Sequence, residues 1–304
     1  MGGISWHGCE MIRHIYSSGQ NQYTDREITH MAETGLTEKI GNYDVHYHEA
    51  GHGEPLLFIH GSGPGVSAWA YWRQVFPVLS DKYRLYAPDL LGFGESEKPK
   101  LTPYGVDVWV QQLIAFIETK EIGPLSIIGN SLGGAIALHL AVQRPDLVKK
   151  LVLMGSAGIH FPLTEGLDQV WGYVPSFDNM KKLVELFAFD PHFSNNEDLV
   201  QMRYQATLNK ENQAAFASMF PAPRQRHVDA LALSEQQLRS IDIPVLLLHG
   251  REDRIIPIRE TSWKLFHLLP KAELHTFSNC GHWTQIEKKE QFCDVVHYFL
   301  ASKS

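Results

Sequence analysis

The chain has 304 residues, of which 44% are hydrophobic and 20% charged, an ordinary composition for one globular domain or for one domain with an insertion. Its 27 basic and 34 acidic residues give a net charge of −7 without long runs of one sign. This argues against a surface for nucleic acid or anionic membrane, although an acidic substrate held by one local arginine is compatible with it.

Cysteine usage and the first 30 residues bear on the compartment. Cys9, Cys280 and Cys293 are too few and too scattered for a disulfide framework, so a reducing compartment, the cytoplasm, is expected. Residues 1–30 are polar and lack the apolar core of a signal peptide. We predict that they form a disordered leader, for which an over-extended gene start is one explanation. The longest apolar runs have the length of a strand and are far shorter than a membrane span.

Short runs rich in branched residues follow, alternating with helix-length patterns. Alternating apolar and polar residues around Gly41-Asn42 predict a β-hairpin over 39–50. Four further strands are predicted, at 55–60, 84–88, 125–129 and 149–155. Helices are predicted between them, at 68–79, 106–120 and 132–143. Such alternation favours parallel strands that are joined by crossovers and buried on both faces.

From about residue 156 to residue 238 the pattern is helical, with no convincing strand. Alternation then resumes, with a strand at 243–250, a helix at 258–269, a strand at 272–277 and a last helix at 287–301. The sequence therefore predicts an α/β fold with a mostly parallel, eight-stranded sheet flanked by helices. In this division 31–155 and 239–304 form the core, and 156–238 form a helical lid inserted after about the sixth strand.

Ser131 lies where a predicted strand gives way to a predicted helix. The segment "GNSLG", Gly129 to Gly133, is the only match to G-x-S-x-G in the chain. In this motif the glycines permit a sharp, strained turn that lifts the serine hydroxyl above the edge of the sheet. The alternative is a small-residue turn with an incidental serine, and the flanking strand and helix weigh against it. We predict that Ser131 is a nucleophile.

A serine nucleophile needs a base that is oriented by a third group, and in this architecture the acid precedes the histidine in the chain. Asp253 and His282 each lie in a loop after a predicted strand, where open α/β sheets gather their ligands. Glu252 and Asp294 are rival acids, but Glu252 is expected to point away from its neighbour and Asp294 is inside the last helix. Asp253 is the predicted acid and His282 the predicted base.

The segment "FIHGSGPG", Phe58 to Gly65, follows the third strand, where a donor loop for an oxyanion belongs. Its glycines allow backbone N–H groups to approach a substrate, so we predict an oxyanion hole made by the N–H groups of Ser62 and Leu132. The alternative is a phosphate-binding loop. That is weak, because neither G-x-G-x-x-G nor the lysine of a P-loop is present.

Two other groups of reactive side chains are interpreted as structural. His46, His48 and His52 have spacings that suggest a metal site, but no helical H-E-x-x-H or carboxylate cluster accompanies them. A solvated face of the hairpin is favoured instead. Cys280 is interpreted as a small packing residue rather than a reactive thiol.

The motifs "GNSLGG", "GREDRIIP" and "CGHWTQIE" resemble those of the α/β-hydrolase superfamily. Further segments resemble one branch of it, the meta-cleavage-product hydrolases, which hydrolyse a carbon–carbon bond in ring-opened catechols. They are "HGSGPGVSAW", "APDLLGFGES", "LVLMGSAG", "FPLTEGLDQVWGYVPSF" and "FPAPRQRHVDAL". The likeness extends from about Met31 to the last helix, and the lid segments most resemble 2-hydroxymuconic semialdehyde hydrolases.

The resemblance implies a 2-hydroxy-6-oxo-2,4-dienoate substrate, whose carboxylate and 2-oxo group must be held separately from the serine, histidine and aspartate. It implies substrate binding by Gly61, Ser62, Gly63, Asn130, Arg203 and Trp283. Arg203 also fits on chemical grounds, because a planar guanidinium pairs with an α-keto acid through two hydrogen bonds. Without the resemblance, a solvated lid arginine would be the default interpretation.

Two positions depart from the pattern of this family, which often carries asparagine at the position of Tyr71 and tryptophan at that of His227. A phenol at 71 either narrows the acidic subsite or replaces one hydrogen bond with another. Histidine at 227 makes the distal pocket more polar. Ile255 and Ile256 are expected to line the distal pocket, and buried loop packing is a nearly equal alternative.

The reaction implied by the resemblance needs no metal and no organic cofactor. The bound dienolate is protonated at C5, His282 takes the proton of Ser131, and Ser131 attacks the C6 carbonyl. Cleavage releases 2-hydroxypenta-2,4-dienoate, and water hydrolyses the acyl-enzyme to formate or a short carboxylate. A homo-oligomer, a dimer or larger, is expected.

Two other functions are compatible with the same residues. One is a carboxylesterase acting on small esters, and the other is a ligand receptor on a hydrolase scaffold, in which the lid changes shape. Haloalkane dehalogenase and epoxide hydrolase are disfavoured, because their nucleophile is an aspartate and position 131 is a serine.

Overall fold

The computed structural model describes residues 34–100 and 103–302, so the predicted leader lies outside the described residues. Eight strands form one sheet with the order β1-β2-β4-β3-β5-β6-β7-β8. They are β1 Leu36–Ile40, β2 Tyr43–Ala50, β3 Glu54–Ile59, β4 Tyr83–Pro88, β5 Leu125–Asn130, β6 Val148–Met154, β7 Val245–Gly250 and β8 Ala272–Phe277. The β1–β2 and β2–β4 pairs are antiparallel and the other pairs are parallel. The prediction of a mostly parallel, eight-stranded sheet is confirmed.

Helices lie before, within and after the long interval between β6 and β7. Before it are α1 Ala68–Trp72, α2 Phe76–Leu79, α3 Val106–Lys120, α4 Leu132–Gln143 and a 3-10 helix, Pro145–Leu147. Within it are α5 Glu165–Trp171, α6 Phe177–Phe187, α7 Pro191–Asn195, α8 Glu197–Ala206, α9 Lys210–Met219, α10 Gln225–Leu231 and α11 Glu235–Arg239. After it are α12 Ser262–Leu268, α13 Thr284–Glu287 and α14 Lys289–Ala301.

Local chemistry explains where several of these elements begin and end. Ile40 pairs with Tyr43, which leaves Gly41-Asn42 as a two-residue loop, and Gly41 has the positive φ, 57°, that such hairpins need. The helix predicted at 68–79 is two helices instead. Pro77 lies in the first turn of α2, where its missing N–H is tolerated, whereas inside one continuous helix it would remove a hydrogen bond.

The centre of the sheet is apolar on both faces. All six residues of β7 are buried, and β5 is buried from Ile127 to Asn130. Helix α4 is buried along most of its length and packs closely on the sheet, since a Cβ atom at Gly134 would collide with Ser156. This packing fixes the start of α4, and therefore Ser131, against the end of β5.

The segment 156–238, hereafter the lid segment, follows the sixth strand. It contains α5 to α10 and all of α11 except Arg239, and it has no strand. That it forms a separate unit from the core stays a prediction. Over residues 34–100 and 103–302, no helix is both long and apolar enough to cross a membrane.

The prediction of a solvated histidine face on the hairpin is wrong for His46 and His48, which are both buried. His46 Nδ1 lies 3.0 Å from Asp89 Oδ2, and the His48 ring stacks on Trp69 of α1 at 5.1 Å. Helix α1 and the loop after β4 cover this face of β2, and local alternation in the sequence does not reveal that cover. His52 is exposed.

Candidate active site

Ser131 occupies a strained turn between β5 and α4. Its φ of 55° and ψ of −114° are rare for a residue with a side chain. A hydrogen bond to the end of β6 stabilises the turn, because Ser131 N donates to Met154 O at 2.9 Å. Glycine is required around it, because a Cβ atom at Gly129 would collide with the backbone of Gly133, and one at Gly133 would collide with Ile59 O. The Ser131 hydroxyl is thereby presented at the carboxyl end of the sheet.

Asp253 and His282 form a buried acid–base pair in which His282 Nδ1 donates to Asp253 Oδ2 at 2.7 Å. The other carboxylate oxygen accepts from the backbone N–H groups of Ile255, at 2.8 Å, and Ile256, at 2.9 Å. Burial by itself raises the pKa of Asp253, but the charges and hydrogen bonds of His282 and His249 outweigh it, and the pKa lies below its ordinary value. An ionised Asp253 orients His282 so that Nε2 is the nitrogen able to accept a proton.

Neither rival acid reaches His282. Glu252 Oε2 accepts from Cys280 N at 3.0 Å and its Oε1 accepts from Arg251 Nε at 2.9 Å, so its carboxylate is directed away from the imidazole. Asp294 is exposed on α14.

Gly155 lies close to both Ser131 and the acid–base pair. It follows Met154, which accepts the Ser131 N–H, and a Cβ atom on it would lie 3.0 Å from both Asp253 Oδ2 and His282 Nδ1. The hydrogen bonds of the described residues do not include one between Ser131 Oγ and His282. In serine enzymes this bond often tightens only when substrate is bound.

We expect Asp253→Asn to flatten part of the pH dependence of stability. A carboxylate whose pKa is depressed in the fold stabilises the native state at neutral pH, and this contribution is lost as the pH falls below the ordinary aspartate pKa of about 4 toward the folded value. Urea unfolding at pH 7 and pH 3.5 measures the loss. It should be smaller in Asp253→Asn than in the wild type, whereas Asp294→Asn should match the wild type. Equal losses in all three proteins would contradict the depressed pKa.

The predicted oxyanion donors belong to two segments close to Ser131. Leu132 is the first residue of α4, so its N–H has no acceptor within the helix. The loop that carries Ser62 passes close by, since a Cβ atom at Gly61 would lie 2.8 Å from Asn130 Oδ1 and 3.3 Å from Ser131 Cβ.

His60 and Trp171 hold this donor loop, and neither was identified as a site residue from the sequence. His60 Nδ1 donates to Gly61 O at 2.8 Å, and its Nε2 accepts from Leu90 N at 3.1 Å. Burial lowers the pKa of His60, which favours this neutral form. Trp171 Nε1 donates to Ser62 Oγ at 2.9 Å. A sequence signal for His60 exists: it precedes a glycine at the end of β3, as His249 precedes Gly250 at the end of β7.

A cavity beside this loop is enclosed by α1, α6 and α8. Its wall includes Ser62, Gly63, Tyr71, Phe187, Arg203 and Trp283. The guanidinium carbon of Arg203 lies 4.0 Å from the centre of the Trp283 ring, and Arg203 Nε is buried without a hydrogen-bond partner in the described part of the chain. Burial lowers the pKa of Arg203 to about 10, so the side chain is still a cation at neutral pH. The cavity can therefore receive an anion.

Tyr71 and Asn130 connect this cavity to Ser131. Tyr71 Oη donates to Asn130 Oδ1 at 2.5 Å, and Asn130 Nδ2 donates to Met154 O at 3.1 Å. Burial raises the pKa of Tyr71, so the phenol keeps its proton. Both ends of the amide are fixed, and one N–H of Asn130 is left for another acceptor.

The wall of this cavity does not include Ile255, Ile256 or His227, whose place at the distal pocket stays a prediction. Ile255 and Ile256 are buried away from it, and their backbone N–H groups hold Asp253. His227 lies edge-on to Trp171, with ring centres 6.2 Å apart, and its Nε2 lies 2.9 Å from Pro221 O. Cys280 is fully buried, and burial raises the pKa of its thiol, as a packing residue requires.

The chain is similar to several known proteins in sequence and in fold. A family model described as the α/β hydrolase fold matches residues 54–289. The 2-hydroxymuconate semialdehyde hydrolase of Pseudomonas sp. strain CF600 is 52% identical over 254 residues, covering 84% of this chain and 89% of its own length. The 2-hydroxy-6-oxo-2,4-heptadienoate hydrolase of Pseudomonas putida strain F1 is 47% identical over 272 residues, with coverage of 90% and 98%.

Among solved structures, a meta-cleavage product hydrolase from Pseudomonas fluorescens IP01 superimposes with a TM-score of 0.86 at 42% identity, covering 88% of this chain and 98% of that one. The chain therefore belongs to the α/β-hydrolase-fold family and, within it, to the meta-cleavage product hydrolases, enzymes that cleave carbon–carbon bonds.

Proposed function

We propose that this enzyme hydrolyses 2-hydroxy-6-oxo-2,4-dienoates made from single-ring catechols, such as 2-hydroxymuconic semialdehyde or its 6-methyl analogue, in the degradation of aromatic compounds. The observation that carries the proposal is the cation of Arg203, which has a buried, unpaired Nε in a cavity next to the Ser62 loop. The names of the relatives that are 45–52% identical support the same substrates.

The acidic end of the substrate binds in the Arg203 cavity. The guanidinium pairs with the carboxylate and the 2-oxo oxygen, as its planar geometry allows. The remaining N–H of Asn130 is directed to the 2-oxo group, and Trp283 keeps Arg203 in place by lying against it. This end of the site supplies the electron sink, because the electrons of the broken bond end on the 2-oxo oxygen.

Ser131 attacks the other end of the substrate. After C5 has been protonated, His282 Nε2 removes the hydroxyl proton of Ser131, with Asp253 stabilising the imidazolium that forms. Ser131 Oγ bonds to C6, and the oxyanion faces the N–H groups of Ser62 and Leu132. The short turn at 131 and the approach of Gly61 to Ser131 support this geometry.

Two further steps complete the reaction. The C5–C6 bond breaks and its electron pair passes through C5 to the 2-oxo group. The resulting dienolate takes the proton from the His282 imidazolium and leaves as 2-hydroxypenta-2,4-dienoate, so that His282 is neutral again. Water, deprotonated by His282, then attacks the acyl carbon and releases Ser131 with formate, or with a short carboxylate when C6 carries an alkyl group.

The decay of visible absorbance tests the proposal on ring-fission products that carry hydrogen, methyl or phenyl at C6. We expect the hydrogen and methyl compounds to decay fastest, and a wild-type enzyme that bleaches none of the three would refute the assignment. Fast turnover of p-nitrophenyl acetate without bleaching would instead identify a carboxylesterase.

We further propose that the protein acts in the cytoplasm, as a homo-oligomer, and that the lid segment forms a domain distinct from the core. The free, buried thiols of Cys280 and Cys293 are compatible with a reducing compartment. Cell fractionation and sedimentation of the purified protein measure the first two properties.

A further inference from the structure

Glu287, the last residue of α13, accepts hydrogen bonds from two segments that are far from each other in the sequence. Its Oε2 accepts from the backbone N–H groups of Phe189, at 2.8 Å, and Asp190, at 3.1 Å. Its Oε1 accepts from Gly281 N at 2.7 Å. Phe189 and Asp190 belong to the lid segment, and Gly281 immediately precedes His282 in the loop after β8. One carboxylate thus joins the lid segment to the loop of the base.

Other contacts make the same connection. His282 N donates to Phe187 O at 2.7 Å, and the ring of Phe187 stacks on Trp283 with centres 4.8 Å apart and planes within 6° of parallel. Gly281 has no room for a side chain, because a Cβ atom there would lie 3.0 Å from Phe189 N. The end of α6 and the His282 loop are therefore packed together on both sides of the Glu287 carboxylate.

We propose that Glu287 is a positioning residue that fastens the lid segment to the loop of the base, so that His282 and the Arg203–Trp283 pair keep a fixed relation. The inference rests on the proposed function, in which His282 acts on Ser131 while Arg203 holds the acidic end of the substrate. Glutamate suits this task because each of its oxygens accepts hydrogen bonds. In Glu287→Gln one of the two oxygens becomes an NH2 group. That group faces the backbone N–H donors of one segment, which then lose their acceptor.

A consequence concerns how the lid segment moves. Residues 187–190 are anchored to the His282 loop, so movement of the lid segment must take place elsewhere along 156–238. If the hydrogen bonds of Glu287 are lost, His282 loses its alignment with Ser131. Trp283 then also loses the contact with Phe187 that keeps the Trp283 ring beside Arg203.

The test compares Glu287→Gln with Glu290→Gln, an exposed glutamate at the start of α14. Two rates are measured below the melting temperature of both variants: labelling of Ser131 by diisopropyl fluorophosphate and kcat for bleaching of the dienoate. A misplaced base should lower both by about tenfold to a hundredfold in Glu287→Gln, and neither in Glu290→Gln. Hydrogen–deuterium exchange should accelerate together at 187–190 and 280–282.

Wild-type rates of labelling and bleaching in Glu287→Gln, with only its melting temperature lowered, would overturn the proposal and leave Glu287 a purely structural residue. If Glu287→Gln does not fold, Glu287→Asp replaces it: its shorter side chain keeps the charge but cannot reach both segments, and unchanged rates there have the same meaning. Failure of the wild type to be labelled at Ser131 is a separate outcome. It refutes the proposed nucleophile, and the role of Glu287 in catalysis is refuted with it.

Discussion

Replacing Ser131 with alanine should lower kcat for carbon–carbon cleavage about 10⁴-fold or more, the range found when the nucleophile of a serine–histidine–aspartate set is removed. Alanine keeps the strained turn, since it also has a Cβ atom at φ 55°, but it has no oxygen to bond to C6. Arg203 and Trp283 are untouched, so the variant should still bind the dienoate and show the spectral change of its ketonisation. Stopped-flow absorbance separates this change from cleavage.

Ser126→Ala is the matched control, because Ser126 lies on β5, the strand that leads to Ser131, five positions earlier. It should bleach the substrate at the wild-type rate. If Ser131→Ala cleaves the substrate nearly as fast as the control does, the acyl-enzyme route is wrong and a direct attack by water must replace it.

Arg203→Gln should lower kcat/KM for the dienoates by about 10²-fold to 10³-fold, the effect of removing one partner from a buried, hydrogen-bonded charge pair. Arg203→Lys keeps the charge but cannot bond to both oxygens of an α-keto acid in one plane, so an intermediate loss is expected. The fold should tolerate both changes, because Arg203 Nε makes no hydrogen bond that would be lost. The contact of the guanidinium with the Trp283 ring is a stacking contact with one side chain.

The control for Arg203 is a second substrate rather than a second variant. p-Nitrophenyl acetate has no carboxylate for Arg203 to bind, so its turnover should be nearly unchanged in Arg203→Gln while bleaching of the dienoate falls. A parallel fall on both substrates would mean that Arg203 supports the structure around Ser131 instead of the acidic end of the substrate.

Much of the fold and the centre of the site could be predicted, because their signals are local. Ser131 stands in a five-residue motif that can be recognised without the fold, although only Gly129 is explained by a contact inside the motif, at Gly133, and Gly133 is explained by the backbone of Ile59. Asp253 and His282 were found from chain order and from their places after strands, and their 2.7 Å contact agrees with that choice. Parallel strands put these loops at one edge, so the topology brings the side chains together.

Other features depend on packing between segments far apart in the sequence, which periodicity does not report. His46 is buried against Asp89, in the loop after β4, and His48 is buried against Trp69 of α1. Both partners come from later parts of the chain. Glu287 lies at the predicted start of the last helix, yet two of its three backbone N–H partners are 97 and 98 residues earlier in the chain. His227 is assigned to the distal pocket by resemblance alone and that stays a prediction, whereas its edge-on contact with Trp171 joins segments that local patterns do not connect.

Gly155 carries no functional group, yet its position favours glycine over every other residue. Every missense change at its codon adds a Cβ atom 3.0 Å from the atoms that join Asp253 to His282, at a φ of 45° that side chains seldom adopt. A library of random mutants selected for loss of growth on an aromatic carbon source would therefore include substitutions at this glycine. Genetic screens would mark the end of β6 as essential even though no atom of residue 155 takes part in the chemistry.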